Sequence, residues 1–230
     1  MKKTISLLLV LVLCLSLCAC GGEAETVPTE NDELAFLTGE TWKNVFTGST
    51  SVKFEPDGTG KYSKYDMTWE MYDNVLTYYY TYEGAYGSSN VTVECSVIEY
   101  NGVKMLLSDS TIYVSAANFK EGCAAAKDYM ISVAEKLDWA AAHDLYLSNA
   151  AKAEVEYDGK IVKWTATVYE ISESYCMMAN ETYKGLPSNS INVYMDTDEL
   201  IKLDKYREIT VIGIMNIGSF TSINCGFVVE

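Results

Sequence analysis

Short stretches in which apolar and polar residues alternate run through the N-terminal half of the chain. Val52 to Glu55 and Trp69 to Met71 alternate with a period of two, and Val91 to Tyr100 places most of its apolar residues on one face. A period of two is typical of strands that bury one face. From Leu34 to about Phe119 the pattern therefore predicts roughly six to eight short antiparallel strands, arranged as a meander in a barrel or sandwich.

Residues that favour turns separate these strands. In Pro56 to Gly60, proline presets φ and glycine accepts a positive φ. Asp73-Asn74 marks a second turn, and Gly84 to Asn90 is expected to be a loop. Asn101-Gly102 is the strongest short hairpin signal in the chain.

The periodicity changes in the middle of the chain. Between Ala124 and about Lys152 apolar residues recur at spacings of three and four, as at Met130 and Val133, and alanine is abundant. This predicts a helical segment, with a break after which Asp138 begins a second helix that runs to Leu147. From Tyr157 to Glu230 the β pattern returns, with one short helical turn.

The chain begins with a basic and then an apolar segment. Lys2 and Lys3 precede a nearly unbroken apolar run from Ile5 to Leu17. A membrane-spanning helix needs about 20 apolar residues, so this shorter run is typical of a signal peptide.

Leu17, Ala19 and Cys20 follow at the end of that run and resemble the bacterial lipobox, which has Leu three positions before an invariant Cys and a small residue directly before it. The resemblance implies that Cys20 receives a diacylglycerol thioether and becomes the mature N-terminus, and that the protein is anchored in the cell membrane on its extracytoplasmic face. Diacylation meets the requirement for stable anchoring. The alternatives are an ordinary secretory signal cleaved nearby and an uncleaved anchor.

The strand-rich N-terminal half resembles the small lipocalin-like β domains of bacterial lipoproteins. The resemblance rests on Leu37 to Trp42, Phe54 to Gly60, Trp69, and Asn74 to Leu76. Gly39 and Trp42 are separated by two residues, where lipocalins have one. This departure argues against a deep lipocalin ligand cup.

The C-terminal part resembles a bacterial OB-fold family called tRNA-anti-like, which implies a five-stranded barrel. The matching segments are Tyr157-Asp158-Gly159-Lys160, Trp164 to Val168, Ile191-Asn192-Val193, Ile209 to Gly213 and Asn224-Cys225. The family usually has glycine in the middle of the first strand, where this chain has Ala166, so we expect a milder bend there.

These patterns predict a mainly β protein with a helical connector, in which an antiparallel meander barrel or sandwich precedes a five-stranded OB-type barrel. Residues 1–19 form the signal peptide, and residues 20–33 form the lipidated Cys20 with a disordered acidic tether. Residues 34–118 form the lipocalin-like domain, and residues 119–230 form the helical connector and OB domain.

Composition narrows the function. The chain is 49% hydrophobic, which excludes intrinsic disorder. Its 17 Lys and Arg stand against 32 Asp and Glu, giving a formal net charge of −15. Nucleic-acid binders neutralise phosphates with clustered basic residues. The charge therefore leads us to expect no nucleic-acid partner, even for an OB-type barrel, and to favour cationic or neutral partners.

Few residues suggest catalysis. His143 is the single His and Asp144 follows it, but no Ser lies in a G-x-S-x-G sequence, so a packing or surface role is favoured over a hydrolase base. Asp196 to Glu199 fails as an EF-hand loop because Ile201 and Arg207 stand where Gly and Glu are needed. Asp196 or Thr197 is expected instead to cap a helical turn. We expect no metal and no cofactor.

Four cysteines remain after the lipobox, namely Cys95, Cys123, Cys176 and Cys225, and no two of them form a C-x-x-C pair. Buried reduced thiols are favoured, and Cys176 with Cys225 is the most natural pair if a disulfide forms.

Tyrosines are the candidate binding residues. Tyr78, Tyr80 and Tyr82 share one strand face and Tyr79 takes the other, with Tyr86 nearby; cross-strand packing is favoured over a ligand platform. Tyr175, Asn192 and Tyr194 are expected on the outer face of the second and third OB strands. We assign Tyr79, Tyr175, Asn192 and Tyr194 to a ligand face.

The leading functional hypothesis is a non-enzymatic, lipid-anchored binding or interaction module for a cationic or neutral peptide, a glycan or a protein. The alternatives are a structural or envelope-stress accessory without a small ligand and, more remotely, a hydrolase. A large apolar interface between the barrels would favour the accessory, whereas a mobile hinge near Gly122 with an open aromatic groove would favour binding.

Overall fold

Eight antiparallel strands close into a barrel in the N-terminal half, each paired with its neighbour in the chain and the last paired with the first. The computed structural model describes residues 30–85, 87–183, 186–217 and 221–229. The signal segment, Cys20 and Tyr86 lie outside these residues. The strands are β1 (Thr41–Asn44), β2 (Ser51–Phe54), β3 (Thr59–Tyr62), β4 (Tyr65–Tyr72), β5 (Val75–Gly84), β6 (Gly87–Tyr100), β7 (Val103–Leu107) and β8 (Ile112–Ser115).

The predicted turns lie where strands reverse. Asp73 and Asn74 both have positive φ between β4 and β5, and so do Asn101 and Gly102 between β6 and β7. This is the geometry of the two-residue hairpin turn that matches strand twist. The predicted loop from Gly84 to Asn90 is wrong: β5 and β6 stay paired as far as Gly84 opposite Gly87. Strand pairing overrides the loop preference of this Gly- and Ser-rich stretch.

Large side chains fill the first barrel. Its inward-facing residues include Trp42, Phe54, Met67, Leu76 and Tyr78, all buried. The indole N–H of Trp69 donates to the carbonyl oxygen of Thr59 at 2.9 Å and so fixes the Pro56 to Gly60 turn. These buried side chains pack the interior of the barrel.

The helical part differs from its prediction in its boundaries. The helices are α1 (Glu30–Thr38), α2 (Phe119–Val133), α3 (Trp139–Ser148) and α4 (Ala150–Tyr157), and a two-residue strand, β9 (Glu135–Lys136), forms the break between α2 and α3. Helix α1 covers residues that the pattern placed in a disordered tether and in the β segment. The carboxylate of Asp138 accepts from the backbone N–H of Ala141 at 3.1 Å, which confirms the predicted start of the second helix.

Five strands close a second barrel. Its strands are β10 (Ile161–Ile171), β11 (Tyr175–Ala179), β14 (Ile191–Met195), β15 (Glu208–Asn216) and β16 (Ser222–Val229). A short hairpin of β12 (Glu181–Tyr183) and β13 (Leu186–Ser188) leaves it, and helix α5 (Thr197–Leu200) follows β14 with Asp196 as its cap. The order is β10-β11-β14-β16-β15 and back to β10, with β14 and β16 parallel. This confirms the predicted mainly β fold with its OB-type barrel.

The bend in the first OB strand is displaced from the predicted position. Ala166 is buried in regular pairing with Ile209. The register shifts instead between Val168 and Glu170, where β10 turns from β15 towards β11. A β-bulge there supplies the bend that the family places at glycine.

The two barrels share one apolar cluster, which we call the shared core. Met105, Ile112 and Val114 lie on the outer face of β7 and β8, and Ile212 and Ile214 lie on the outer face of β15. Helix α2 contributes Ala126 and Met130 to the cluster, together with the remaining members Val45, Phe46, Ile161, Cys225 and Phe227. A β-carbon at Gly122 would lie 2.6 Å from the Cβ of Val114, so this residue is a close contact of α2 with β8 and not a hinge.

Candidate functional site

The predicted ligand residues of the OB barrel form one patch, which we call the OB platform: Tyr175, Asn192 and Tyr194. Tyr175 on β11 lies directly opposite Tyr194 on β14. Their ring centroids are 5.6 Å apart with an interplanar angle of 54°. Asn192 lies two residues before Tyr194 and therefore on the same face of β14. Tyr194 is 41% exposed, so part of its ring is open to solvent.

The OB platform is uncharged. Neither β11 nor β14 contains a Lys, Arg, Asp or Glu. On the neighbouring β16, Ser222 is the register partner of Asn192, and its hydroxyl donates to the side-chain oxygen of Asn224 at 3.1 Å. The patch therefore offers two aromatic rings and the amide of Asn192, without a charged side chain.

A second aromatic cluster, the tyrosine ladder, runs from the interior of the first barrel to its surface. Tyr62 stacks on Tyr80 with ring centroids 4.5 Å apart, and both rings contact Tyr78. Tyr65 continues the series to Tyr82, with centroids 5.7 Å apart. Tyr78 is fully buried, whereas Tyr82 is 47% exposed. The favoured prediction of cross-strand packing agrees with these contacts, but Tyr62 and Tyr65 were not among the predicted residues.

Burial raises the pKa of two tyrosines in the ladder, Tyr78 and Tyr80. It raises the pKa of Tyr80 to about 12, with the nearby phenol of Tyr62 as a smaller cause. Burial raises the pKa of Tyr78 well above its usual range, and Tyr113, whose hydroxyl lies 3.5 Å away, adds to the effect. Tyr78 and Tyr80 are therefore neutral at physiological pH.

Tyr79 belongs to neither aromatic cluster. It lies on the outer face of β5, 39% exposed, and its hydroxyl donates to the Glu70 carboxylate at 2.7 Å. This hydrogen bond is the largest cause of the raised pKa of Tyr79. Tyr79 lines an open cleft of about 910 Å³ with Thr68, Thr92 and Asp66. The structure thus brings three of the four predicted ligand residues together and places Tyr79 on the other barrel.

His143, the candidate hydrolase base, packs against an aromatic ring. The His143 ring lies 5.3 Å from the Trp139 ring, as expected for a packed helical residue.

All four cysteines that the structure describes are free, including Cys176 and Cys225, so the alternative pairing of these two is not observed. Burial raises the pKa of Cys95, Cys176 and Cys225 to about 12, which keeps the unreactive thiol form. Within the described ranges, no group of three or more His, Cys, Asp and Glu side chains is placed to hold a metal.

Comparisons with known proteins add one finding. No protein-family model matches the chain, and no curated protein matches it. One similar solved structure is described as a "putative nucleic acid-binding lipoprotein" from Klebsiella pneumoniae. It is 16% identical, with a TM-score of 0.37, and the match covers 45% of this chain and 98% of the other.

That description contradicts our expectation of no nucleic-acid partner, and we correct it. The expectation rested on the net charge of the whole chain. Net charge does not describe a local surface, and OB-type barrels also bind single strands by stacking bases on aromatic rings. Acidity is therefore no ground for excluding nucleic acid.

Within the ranges that the structure describes, none of the helices combines the length and the apolar character that crossing a membrane requires.

Proposed function

We propose that the chain is a lipid-anchored, extracytoplasmic binding module whose ligand contacts the OB platform. The pairing of Tyr175 with the exposed Tyr194 carries the proposal. Two neighbouring rings on paired strands offer a surface held in place by the barrel, so little conformational entropy is lost when a ligand stacks on it.

The chemistry of the platform favours a ligand with a flat face and few charges. Aromatic rings stack on sugar rings, bases and aromatic side chains, and the amide of Asn192 adds directional hydrogen bonds. Because the platform itself is uncharged, affinity comes from contact area and hydrogen bonding.

The anchor is a separate part of the proposal and rests on Leu17, Ala19 and Cys20. We expect labelled palmitate to be incorporated into the full chain in growing cells and to be absent from Cys20→Ala. Incorporation that persists in this variant would contradict lipidation at Cys20.

We propose no enzymatic activity for the protein. The imidazole of His143 contacts Trp139, and the described thiols that are most deeply buried have pKa values unsuited to nucleophilic attack. A hydrolase would need a base, a nucleophile and an acid within hydrogen-bonding distance of one another.

The binding test uses the full chain in detergent micelles with three probes: neutral oligosaccharides, single-stranded oligonucleotides and neutral aromatic peptides. We expect one probe class to bind, and Tyr194→Ala and Tyr175→Ala each to weaken its binding roughly tenfold, since a stacked ring contributes about 1–3 kcal/mol. The matched control is Tyr206→Ala, because Tyr206 is 76% exposed on a different part of the same barrel.

If Tyr194→Ala and Tyr206→Ala bind every probe equally well, the platform is not the ligand site. The second candidate function then gains support: a structural accessory without a small ligand. The observation that favours this candidate is the shared core, which joins the barrels through a buried apolar cluster.

A further inference from the structure

The first half of β6 has a backbone edge without a partner strand. β6 pairs with β5 from Gly87 to Ser96, but it pairs with β7 only from Ser96 onwards. Among the residues that the structure describes, no strand pairs with the second edge between Gly87 and Cys95. Because β4 pairs with β5 only up to Tyr80, the ends of β5 and β6, Thr81 to Gly84 and Gly87 to Asn90, extend beyond the other strands as a two-stranded ribbon.

The hairpin geometry fixes which backbone groups face outward. Tyr100 and Val103 flank the two-residue turn Asn101-Gly102 and are therefore a hydrogen-bonded pair, so the even-numbered residues of β6 face β7. Counting along β6, the odd-numbered residues bond to β5, and the even-numbered residues direct their N–H and C=O groups towards the free edge. The residues that do so before pairing with β7 begins are Ser88, Asn90, Thr92 and Glu94.

This edge lacks the features that usually prevent strands from associating. Exposed edges are normally protected by lysine, proline, a bulge or a short length. Gly87 to Val93 contains no charged residue and no proline, in a chain that is 21% charged. The register with β5 shows no shift along this stretch. The segment is a regular, neutral template for strand addition.

We propose that this edge pairs with the same edge of a second copy of the chain, antiparallel and about a two-fold axis at Val91. This register places Ser88 opposite the second copy's Glu94, and Asn90 opposite its Thr92. The outward N–H and C=O groups of all four even-numbered residues then find partners. A two-fold interface uses the same surface of both copies, as is usual for dimers.

The edge is self-complementary in this register, because no charged residue lies opposite another charged residue. The chain carries a net charge of −15, so two copies approach most easily through a neutral surface. Glu94 is the single charged residue on the edge, and the proposed register keeps the two Glu94 residues about 20 Å apart, six residues along the strands. Val91, the register partner of Tyr80, would meet the second copy's Val91 next to the tyrosine ladder.

Cysteine crosslinking tests the two-fold axis. In Val91→Cys the two β-carbons would lie about 4.5–5.5 Å apart, close to disulfide geometry. We expect oxidation of the full chain in membranes to give a disulfide-linked homodimer above the background of the parent chain. The control is Tyr72→Cys, because Tyr72 is 84% exposed at the end of β4, beside the turn into β5 and away from the free edge of β6, and should give no more dimer than the parent.

Charge substitutions test the register. Adding N90K/T92K to Val91→Cys places lysine opposite lysine twice and should reduce dimer yield about fivefold to tenfold. Adding N90E/T92K places glutamate opposite lysine twice and should restore the yield. A yield insensitive to both changes, or no homodimer above the Tyr72→Cys control, would overturn the proposal. Crosslinking to a different protein would also overturn it and identify the edge as a site for another partner.

Discussion

At the scale of single residues, neighbours decide roles that the sequence leaves open. Residue spacing predicted correctly that Asp138 starts a helix, because a cap acts within three residues. It could not show that Gly122 faces Val114, because that contact depends on how α2 docks on the barrel. The same sequence signal, a glycine near a predicted domain boundary, therefore suggested a hinge where the structure has a close contact.

Gly122→Ala is expected to destabilise the protein, although alanine usually stabilises a helix interior relative to glycine. The new methyl group would meet the side chain of Val114, and overpacking of this kind costs about 1–3 kcal/mol. Urea denaturation gives the free energy of unfolding. Lys120→Ala, at an exposed position in the same helix, should change the free energy of unfolding little. A Gly122→Ala protein as stable as the parent would show that α2 and β8 can move apart at this contact without loss of stability.

At the scale of elements, the alternation of apolar and polar residues predicts well where strands lie. It predicts poorly how long they are. The meander and its two-residue turns follow from alternation and from Asp73-Asn74 and Asn101-Gly102. The ribbon beyond the barrel was predicted as a loop, because glycine and serine weaken the strand signal and the pairing with β5 is not local. The OB platform was predictable because the family resemblance placed β11 and β14 side by side. The ladder was only half predicted, since Tyr62 and Tyr65 come from a different hairpin.

The tyrosine ladder should make stability fall at alkaline pH. Folding favours the neutral phenol of Tyr80, whose pKa rises from 10.0 to about 12. The unfolded chain therefore loses protons first, and the free energy of unfolding decreases as the pH rises from about 10 towards 12. Tyr78, with its pKa raised further, contributes about 1.4 kcal/mol per pH unit above 10. Urea denaturation across this range should show a shallower decrease for Tyr78→Phe, and an unchanged slope would contradict the assignment.

At the scale of the whole molecule, the shared core packs the two barrels against each other. Sequence analysis predicted two barrels but not their junction, because a residue on the outer face of a strand looks the same whether water or another barrel covers it. Met105, Ile112 and Val114 were expected in strands, and only the tertiary structure shows that they face the second barrel.

We expect the two barrels to unfold in one transition. Trp42 and Trp69 report on the first barrel, and Trp139 and Trp164 report on the second. With fluorinated tryptophan, all four NMR signals should be lost at the same temperature. Met130→Ala removes a fully buried side chain from the shared core and should cost about 2–5 kcal/mol. Separate melting of the two tryptophan pairs in the parent chain would show that the barrels are independent.

The shared core also sets an order of events while the chain is being made. The first barrel can close once residue 115 is available, but the surface that covers Met105, Ile112 and Val114 comes partly from Ile212 to Phe227, about 100 residues later. Until synthesis reaches that point, helix α2 is the part of the shared core that can cover the outer face of the newborn first barrel, and the rest of that face stays exposed. A chain cut short after α4 would keep this exposed apolar surface, so truncated products are expected to be substrates for chaperones and proteases.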